Sequence, residues 1–197
     1  MTQYMVRDKE LDVRDVTATD VADVARVHLA AWRAAYRGIL SETLLERTGQ
    51  ADFERTWREI LQRPERTDLA VWQDRRLRGY ISFGPVDDRY GDSPATGEIY
   101  GLYVHPDHWA GGAAQQLLDE AIRQMQERGY AQAIVWTMRD FALARRFYTR
   151  NGFCLDGYGR AANSHGESFI EIRLSLELVN RANRRSGPAT MLFKGER

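Results

Sequence analysis

Apolar residues return at helical spacing in four stretches of the chain. In residues 20–36 and 51–61 they recur every three or four positions, which places them on one side of a helix. The same spacing predicts a third helix that ends near Gly129 and a fourth over FALARRFYTR, which Asp140 is placed to cap. The stretch RGILSET, between the first two helices, is expected to form a surface turn.

Runs rich in β-branched and aromatic residues predict the strands. Residues 11–16 alternate in polarity, which predicts a strand. Residues 69–73 and 79–84 lie on either side of the polar segment DRRLR, and the three together predict a hairpin. Residues 97–104 and 133–138 are further runs, and FCLDGY and SFIEIRLSLEL flank the polar loop GRAANSHGE. The element order is therefore β-α-α-β-β-β-α-β-α-β-β. A right-handed crossover makes one pairing parallel and hairpins make the others antiparallel. The sequence predicts an α+β fold, with a mixed, mostly antiparallel sheet and helices on both faces.

Composition narrows the class of protein. The chain has 197 residues and 43% hydrophobic content, which suits one domain over residues 1–180 followed by a polar tail, 181–197. Its 28 basic and 28 acidic side chains cancel, so neither a nucleic acid nor an anionic membrane is an expected partner. The charged start MTQYMVRDKE, the single Cys154 and the lack of a long apolar stretch favour a cytoplasmic protein without a membrane segment.

A glycine-containing turn joins the strand that ends at Val104 to the third helix. Backbone N–H groups at a helix N-terminus point outward at the positive end of the helix dipole, which favours anion binding. Small side chains let a pyrophosphate approach the backbone here: Ala110, Gly111, Gly112, Ala113 and Ala114. The same residues are also explained by a tight strand-to-helix turn whose side chains are small only because they pack closely. The G-x-G-x-x-G spacing of a Rossmann dinucleotide site is absent.

The segment from Gly97 to Gly152 resembles the GCN5-related N-acetyltransferases, the GNAT family. It contains the strand EIYGLYVHP, a short glycine loop, an amphipathic helix, a strand and a helix ending RRFYTRNGF. The family's Gln/Arg-x-x-Gly-x-Gly/Ala loop falls on residues 109–114, where Gly112 and Ala114 match and Trp109 replaces the usual Gln or Arg. Phe141 stands where many members carry an asparagine.

This resemblance implies that acetyl-CoA is the acyl donor and that the pyrophosphate binds at residues 109–114, with Phe141 also in the cofactor site. It implies further that the backbone of Leu102, Tyr103 and Val104 pairs with the pantetheine amides as a partial strand does. That pairing requires the two parallel strands to splay, with a bulge that Gly101 would permit.

Direct transfer from a thioester to an amine poses two proton problems. An alkylammonium group, with a pKa of about 10, must lose a proton before it attacks, and the departing thiolate gains from a proton donor. The resemblance implies that Tyr148 is this donor and that Glu98 is the base. Strand alternation places Tyr100 and Leu102 on the face of Glu98. His105 is an alternative base because histidines titrate near neutral pH, although HPDH also has the composition of a turn.

Aromatic and acidic residues lie where the family builds its acceptor cleft. Trp32 and Tyr36 are expected to bind the acceptor, and Asp87, Asp88 and Asp92 precede the catalytic strand. Aromatic rings combined with acids suit a cationic amine. The simpler interpretation makes Trp32 a core residue and leaves the loop acids solvated.

The sequence therefore predicts an N-acetyltransferase that moves an acetyl group from acetyl-CoA to a primary amine within a ternary complex. The acceptor is either a small molecule or a protein or peptide amine. The alternative is a non-catalytic acyl-CoA-binding sensor or subunit of the same fold, and a nucleotide-binding protein would instead prefer ATP or NAD to CoA. No metal is expected, and edge strands that pair between subunits are compatible with a homodimer.

Overall fold

The computed structural model of the protein describes residues 11–86, 92–164 and 167–178. Its strands are β1 (Asp12–Asp15), β2 (Thr67–Gln73), β3 (Arg76–Pro85), β4 (Thr96–Val104), β5 (Gln132–Met138), β6 (Cys154–Ser164) and β7 (Glu167–Glu177). Its α-helices are α1 (Val21–Tyr36), α2 (Glu42–Arg47), α3 (Gln50–Ile60), α4 (Ala113–Glu127) and α5 (Ala142–Arg150). The predicted tail, 181–197, lies outside the described residues.

The strands form one sheet in the order β1-β2-β3-β4-β5-β7-β6. Only the pairing of β4 with β5 is parallel among these neighbours, and the rest are antiparallel. The parallel pair is joined through α4, as a crossover connection requires. The predicted mixed, mostly antiparallel sheet is thus confirmed.

Alternate side chains of the sheet bury against helices on opposite faces. In β2, Leu69 and Val71 belong to the core cluster that contains Leu117 of α4, whereas Ala70 packs in the cluster of Trp57 on α3. Period-two alternation is what sends successive strand side chains to the two faces. The helices expected on both faces are confirmed. No helix among the described residues is both long enough and apolar enough to cross a bilayer.

A β-bulge in β4 reverses the direction of the side chains that follow it. Ser82 of β3 pairs with Gly101 and Phe83 pairs with Ile99, so Tyr100 is an extra residue. Because of it, Leu102 packs in the same core cluster as Ile99, although an uninterrupted strand would put the two on opposite faces. The prediction that Leu102 shares a face with Glu98 is therefore wrong.

A short helix was missing from the predicted element order. RGILSET was expected to be a turn, but α2 begins at Glu42 within it, and the Ser41 hydroxyl accepts a hydrogen bond from the Leu44 N–H at 3.3 Å. Leu44 and Leu45 are buried and hold the helix against the core. Six residues span fewer than two turns, which is too short for a periodic pattern to show.

Two other local predictions also need correction. The polar loop GRAANSHGE is in large part strand, since β6 continues to Ser164 and pairs with β7. Asp140 does not cap the fourth helix through its side chain. The N-cap is Phe141, and the exposed Asp140 carboxylate instead lies 3.6 Å from the Arg139 guanidinium.

Candidate active site

Strands β4 and β5 separate and leave a cavity between them. Their pairing ends at Ile99 opposite Val135, before the ends of both strands. A cavity of about 240 Å³ opens beside this divergence, and its walls come from α1, α4, α5 and strands β4, β5 and β7. The splay and the bulge expected near Gly101 are both present. Eight aromatic side chains belong to its described lining: Tyr36, Tyr100, Tyr103, Trp109, Trp136, Phe141, Phe147 and Tyr148.

The end of β4 presents an unpaired backbone edge to the cavity. Residues 102–104 pair with β3 on one side and, among the described strands, with none on the side of β5. Trp109 lies at the C-terminal end of this edge, where its indole Nε1–H donates to the Val104 carbonyl at 2.8 Å. The indole lines the cavity and is 43% exposed. Trp109 therefore occupies one of the carbonyl groups that a ligand amide could otherwise have used.

The start of α4 carries amide groups without acceptors. Gly112, the N-cap residue, has a φ of 77°, a conformation that favours glycine, and no side chain caps the helix. The Gly111 N–H donates to the His108 carbonyl at 3.0 Å. The N–H groups of residues 112–115 have no hydrogen-bond acceptor in the part of the chain that the structure describes. These four amide groups are available as donors, and their role in binding an anion stays a prediction.

Tyr148 lies on α5 with its phenol at the cavity. The residue is buried at 5% exposure and packs against Phe147 and Phe153, with ring centroids 5.3 Å away in each case. Burial raises the pKa of Tyr148, and the neighbouring Tyr103 adds to this. Its hydroxyl takes part in no hydrogen bond among the described residues. Tyr148 is thus a neutral phenol with a free hydroxyl at the cavity wall.

A second group of side chains surrounds the end of α1. Tyr36 lines the cavity, and the rings of Phe141 and Trp32 lie 5.8 and 6.0 Å from its ring. Trp32 itself is buried behind Tyr36 and is absent from the described lining, so its part would be to support Tyr36. Burial raises the pKa of Tyr36, as do its interaction with Tyr103 and the charge of Glu171.

The residues proposed as bases lie outside this cavity. Glu98 pairs with Gly84 and Ile134 in the section of β4 before the divergence, and it is not among the described lining residues. Its role as base stays a prediction. His105 caps a short 3₁₀ turn, where its Nδ1 accepts from the Asp107 N–H at 3.4 Å.

Of the three loop acids, only Asp92 lies in the part of the chain that the structure describes. Asp92 forms an ion pair with the buried Arg173 at 2.8 Å and is not solvated. Asp87 and Asp88 lie outside the described residues. Among the residues described, no group of three or more His, Cys, Asp or Glu side chains is placed to hold a metal ion.

Sequence reasoning missed two polar residues of this region. Glu171, on β7, lines the cavity, and His28, on α1, lies between the rings of Phe53 and Tyr103 at 4.0 and 4.5 Å. Burial lowers the pKa of His28 to about 3, and its Nδ1 bonds the Tyr80 hydroxyl at 2.9 Å. Neither residue stands in a motif. Only the alternation of SFIEIRLSLEL could have indicated that Glu171 lies on a strand.

A parallel strand pair that diverges beside a glycine turn, within this sheet order, is the arrangement that the GNAT resemblance implies. The chain belongs to the Acetyltransferase (GNAT) family, whose model matches residues 29–153. The resemblance seen in the sequence is thus confirmed.

Relatives and solved structures agree with this assignment. The chain is 27% identical over 128 residues to the uncharacterized N-acetyltransferase YuaI of Bacillus subtilis, a match that covers 64% of this chain and 70% of that protein. It is 23% identical over 165 residues to the spermidine N(1)-acetyltransferase of Thermoplasma acidophilum, covering 81% and 94%. The structure of the PaiA N-acetyltransferase from T. acidophilum in complex with coenzyme A matches with a TM-score of 0.64 at 20% identity, covering 85% and 99%. This last likeness shows the fold.

Proposed function

We propose that the protein transfers an acetyl group from acetyl-CoA to a primary amine by direct attack, with both substrates bound together. The observation that carries this proposal is the divergence of β4 from β5 beside the uncapped N-terminus of α4, with Tyr148 at the wall of the resulting cavity. The acceptor is a small-molecule amine or the amine of a protein or peptide.

The residues present fit acetyl-CoA. Four neighbouring amide groups, those of residues 112–115, suit the pyrophosphate because donors and helix dipole favour the same negative charge. The free edge of 102–104 suits the pantetheine amides, except at the Val104 carbonyl, which Trp109 occupies. Phe141 contributes a ring contact with Tyr36 where an asparagine would contribute a hydrogen bond. Backbone contacts therefore provide most of the polar recognition of the donor.

Tyr148 would act on the leaving group. The alkylammonium acceptor first gives up a proton to water or to a base, for which Glu98 stays the prediction. When the neutral amine nitrogen then attacks the thioester carbon, the C–S bond breaks and negative charge collects on sulfur, which ends as the CoA thiol with the proton that the acetylated nitrogen loses. A thiol has a pKa near 8.5, and burial keeps the pKa of the Tyr148 phenol above its ordinary value of 10. Complete proton transfer from phenol to thiolate is therefore uphill. Tyr148 would stabilise the developing thiolate as a hydrogen-bond donor, and the site would also gain from holding both reactants in place.

Thiol release tests the proposal. Purified full-length protein is mixed with acetyl-CoA and with spermidine, phenethylamine or a short peptide with a free N-terminus, and the free thiol is followed against a control without amine. We expect release that depends on the amine, together with the mass of the acetylated product. Calorimetry with acetyl-CoA separates the alternatives. Binding without release for any amine would favour a sensor or subunit, and no binding at all would contradict the donor site.

A further inference from the structure

The described lining of the cavity contains one charged side chain. Among its described lining residues, Glu171 is the only one with a side chain that carries charge, and the others are aromatic, aliphatic or small apart from Thr137. The Glu171 side chain is 18% exposed. Its charge contributes to the raised pKa of Tyr36 and of Tyr103, where burial is the largest cause in each case. Glu171 therefore acts electrostatically on the aromatic end of the cavity.

Among the described residues, one oxygen of Glu171 has a hydrogen-bond partner and the other has none. Oε2 accepts from Arg160 Nε at 2.6 Å, and the Arg160 guanidinium also lies over the Trp136 ring, 4.2 Å from its centroid. Oε1 accepts no hydrogen bond from the residues described. Arg160 thus holds the carboxylate from the β6 side. The second oxygen stays free for a donor that enters the cavity.

Aromatic rings around a free carboxylate oxygen form a site for an organic cation. Tyr36 and Tyr103 line the same cavity as Glu171, whose charge adds to the raised pKa of both phenols. Trp136, also in the lining, carries the guanidinium that holds the carboxylate. Ring faces attract an ammonium group, and a carboxylate at low exposure adds a charge-assisted hydrogen bond. A neutral acceptor would leave the free oxygen without a donor, which costs binding.

We propose that Glu171 determines acceptor specificity by binding the ammonium group of an alkylamine that enters the cavity as a cation. This inference rests on the proposed acetyl transfer and names its substrate class. Glu171 recognises the charge of the acceptor as it enters, and the nitrogen that is acetylated then loses its proton to water or to a base before it attacks. Arg160 weakens the attraction between Glu171 and a cationic acceptor, because its positive charge offsets part of the field of the carboxylate.

Four enzymes test this inference: wild type, Glu171→Gln, Arg160→Gln and the control Glu177→Gln. Glu177 is exposed on the same strand and accepts a hydrogen bond from Gln132. Glu177→Gln therefore makes the same chemical change as Glu171→Gln, but outside the cavity. Steady-state thiol release gives KM and kcat for spermidine and phenethylamine and KM for acetyl-CoA. We expect Glu171→Gln to raise the acceptor KM at least tenfold and to leave the acetyl-CoA KM within twofold, since one charge-assisted bond is worth about 1.5–3 kcal/mol. Arg160→Gln keeps an N–H donor for Oε2 and removes the positive charge, so it should lower the acceptor KM.

Several results would overturn the inference. One is an acceptor KM for Glu171→Gln that equals that of Glu177→Gln, and another is an equal rise in the KM of both substrates. If the Glu171→Gln protein does not fold, Arg160→Gln is the remaining test of the inference. An acceptor KM that rises in that variant would contradict the inference. A wild-type enzyme that releases no thiol with any amine would instead refute the proposed function itself.

Discussion

At the scale of single residues, Tyr148 is the side chain on which turnover is proposed to depend. Its ring packs in the core while its hydroxyl is free at the cavity wall, so removal of the hydroxyl leaves the packing intact. We expect Tyr148→Phe to lower kcat by about a hundredfold, the usual effect of losing one hydrogen-bond donor positioned at the developing charge. The Kd for CoA should stay within about threefold. The control is Tyr158→Phe, which changes an exposed phenol on β6, and an equal loss in both variants would contradict the assignment.

His28 makes the stability of the fold depend on pH. Burial lowers its pKa to about 3 in the folded chain, whereas an unfolded histidine has a pKa of about 6.5. Between these values the unfolded state binds a proton that the folded state does not, so stability falls as the pH falls. Below about pH 3 both states are protonated and the loss stops.

Urea unfolding of the His28→Asn variant at pH 8, 6 and 5 measures this contribution. Below about pH 6.5 the wild type should lose stability more steeply than the variant, by about 1 kcal/mol per pH unit. Identical slopes for the two proteins would show that His28 titrates in the folded state as it does in the unfolded chain.

At the scale of elements, the N-terminus of α4 is the proposed binding site for the pyrophosphate of the donor. Ala110 is exposed in the turn before it, so a side chain can be added there without disturbing the core. Ala110→Asp and Ala110→Asn have the same shape and differ by one charge. We expect the aspartate variant to bind CoA about tenfold more weakly than the asparagine variant at low salt, because its carboxylate repels the pyrophosphate. High salt should reduce the difference, and equal affinities in calorimetry would place the pyrophosphate elsewhere.

Elements were predicted well where the information is local. Spacing and short motifs predict the glycine turn, α5 with Tyr148 and the order of the strands along the chain. The face of Leu102 does not, because one bulge at Tyr100 reverses the alternation after it. Glu171 lies at the site only because β7 pairs with β5, and that register depends on the whole sheet.

At the scale of the whole molecule, Arg173 joins three separate segments. It is 4% exposed and forms ion pairs with Asp92, ahead of β4, and with Asp156 on β6. Removal of a buried partner leaves the other charges uncompensated. We expect Arg173→Gln to lower the free energy of unfolding by about 3 kcal/mol in urea titration. Arg123→Gln breaks a surface network with Glu120 and Glu127, and it should change little. A small effect for Arg173→Gln would mean that the network does not hold the segments together.

The structure of the protein crystallised with CoA tests the account most directly. The pyrophosphate oxygens should lie about 3 Å from the amide nitrogens of residues 112–115, and the sulfur should lie within hydrogen-bond reach of the Tyr148 hydroxyl. The pantetheine arm should run along 102–104 between β4 and β5. A coenzyme bound outside this gap, or a sulfur out of reach of Tyr148, would contradict both the donor site and the mechanism.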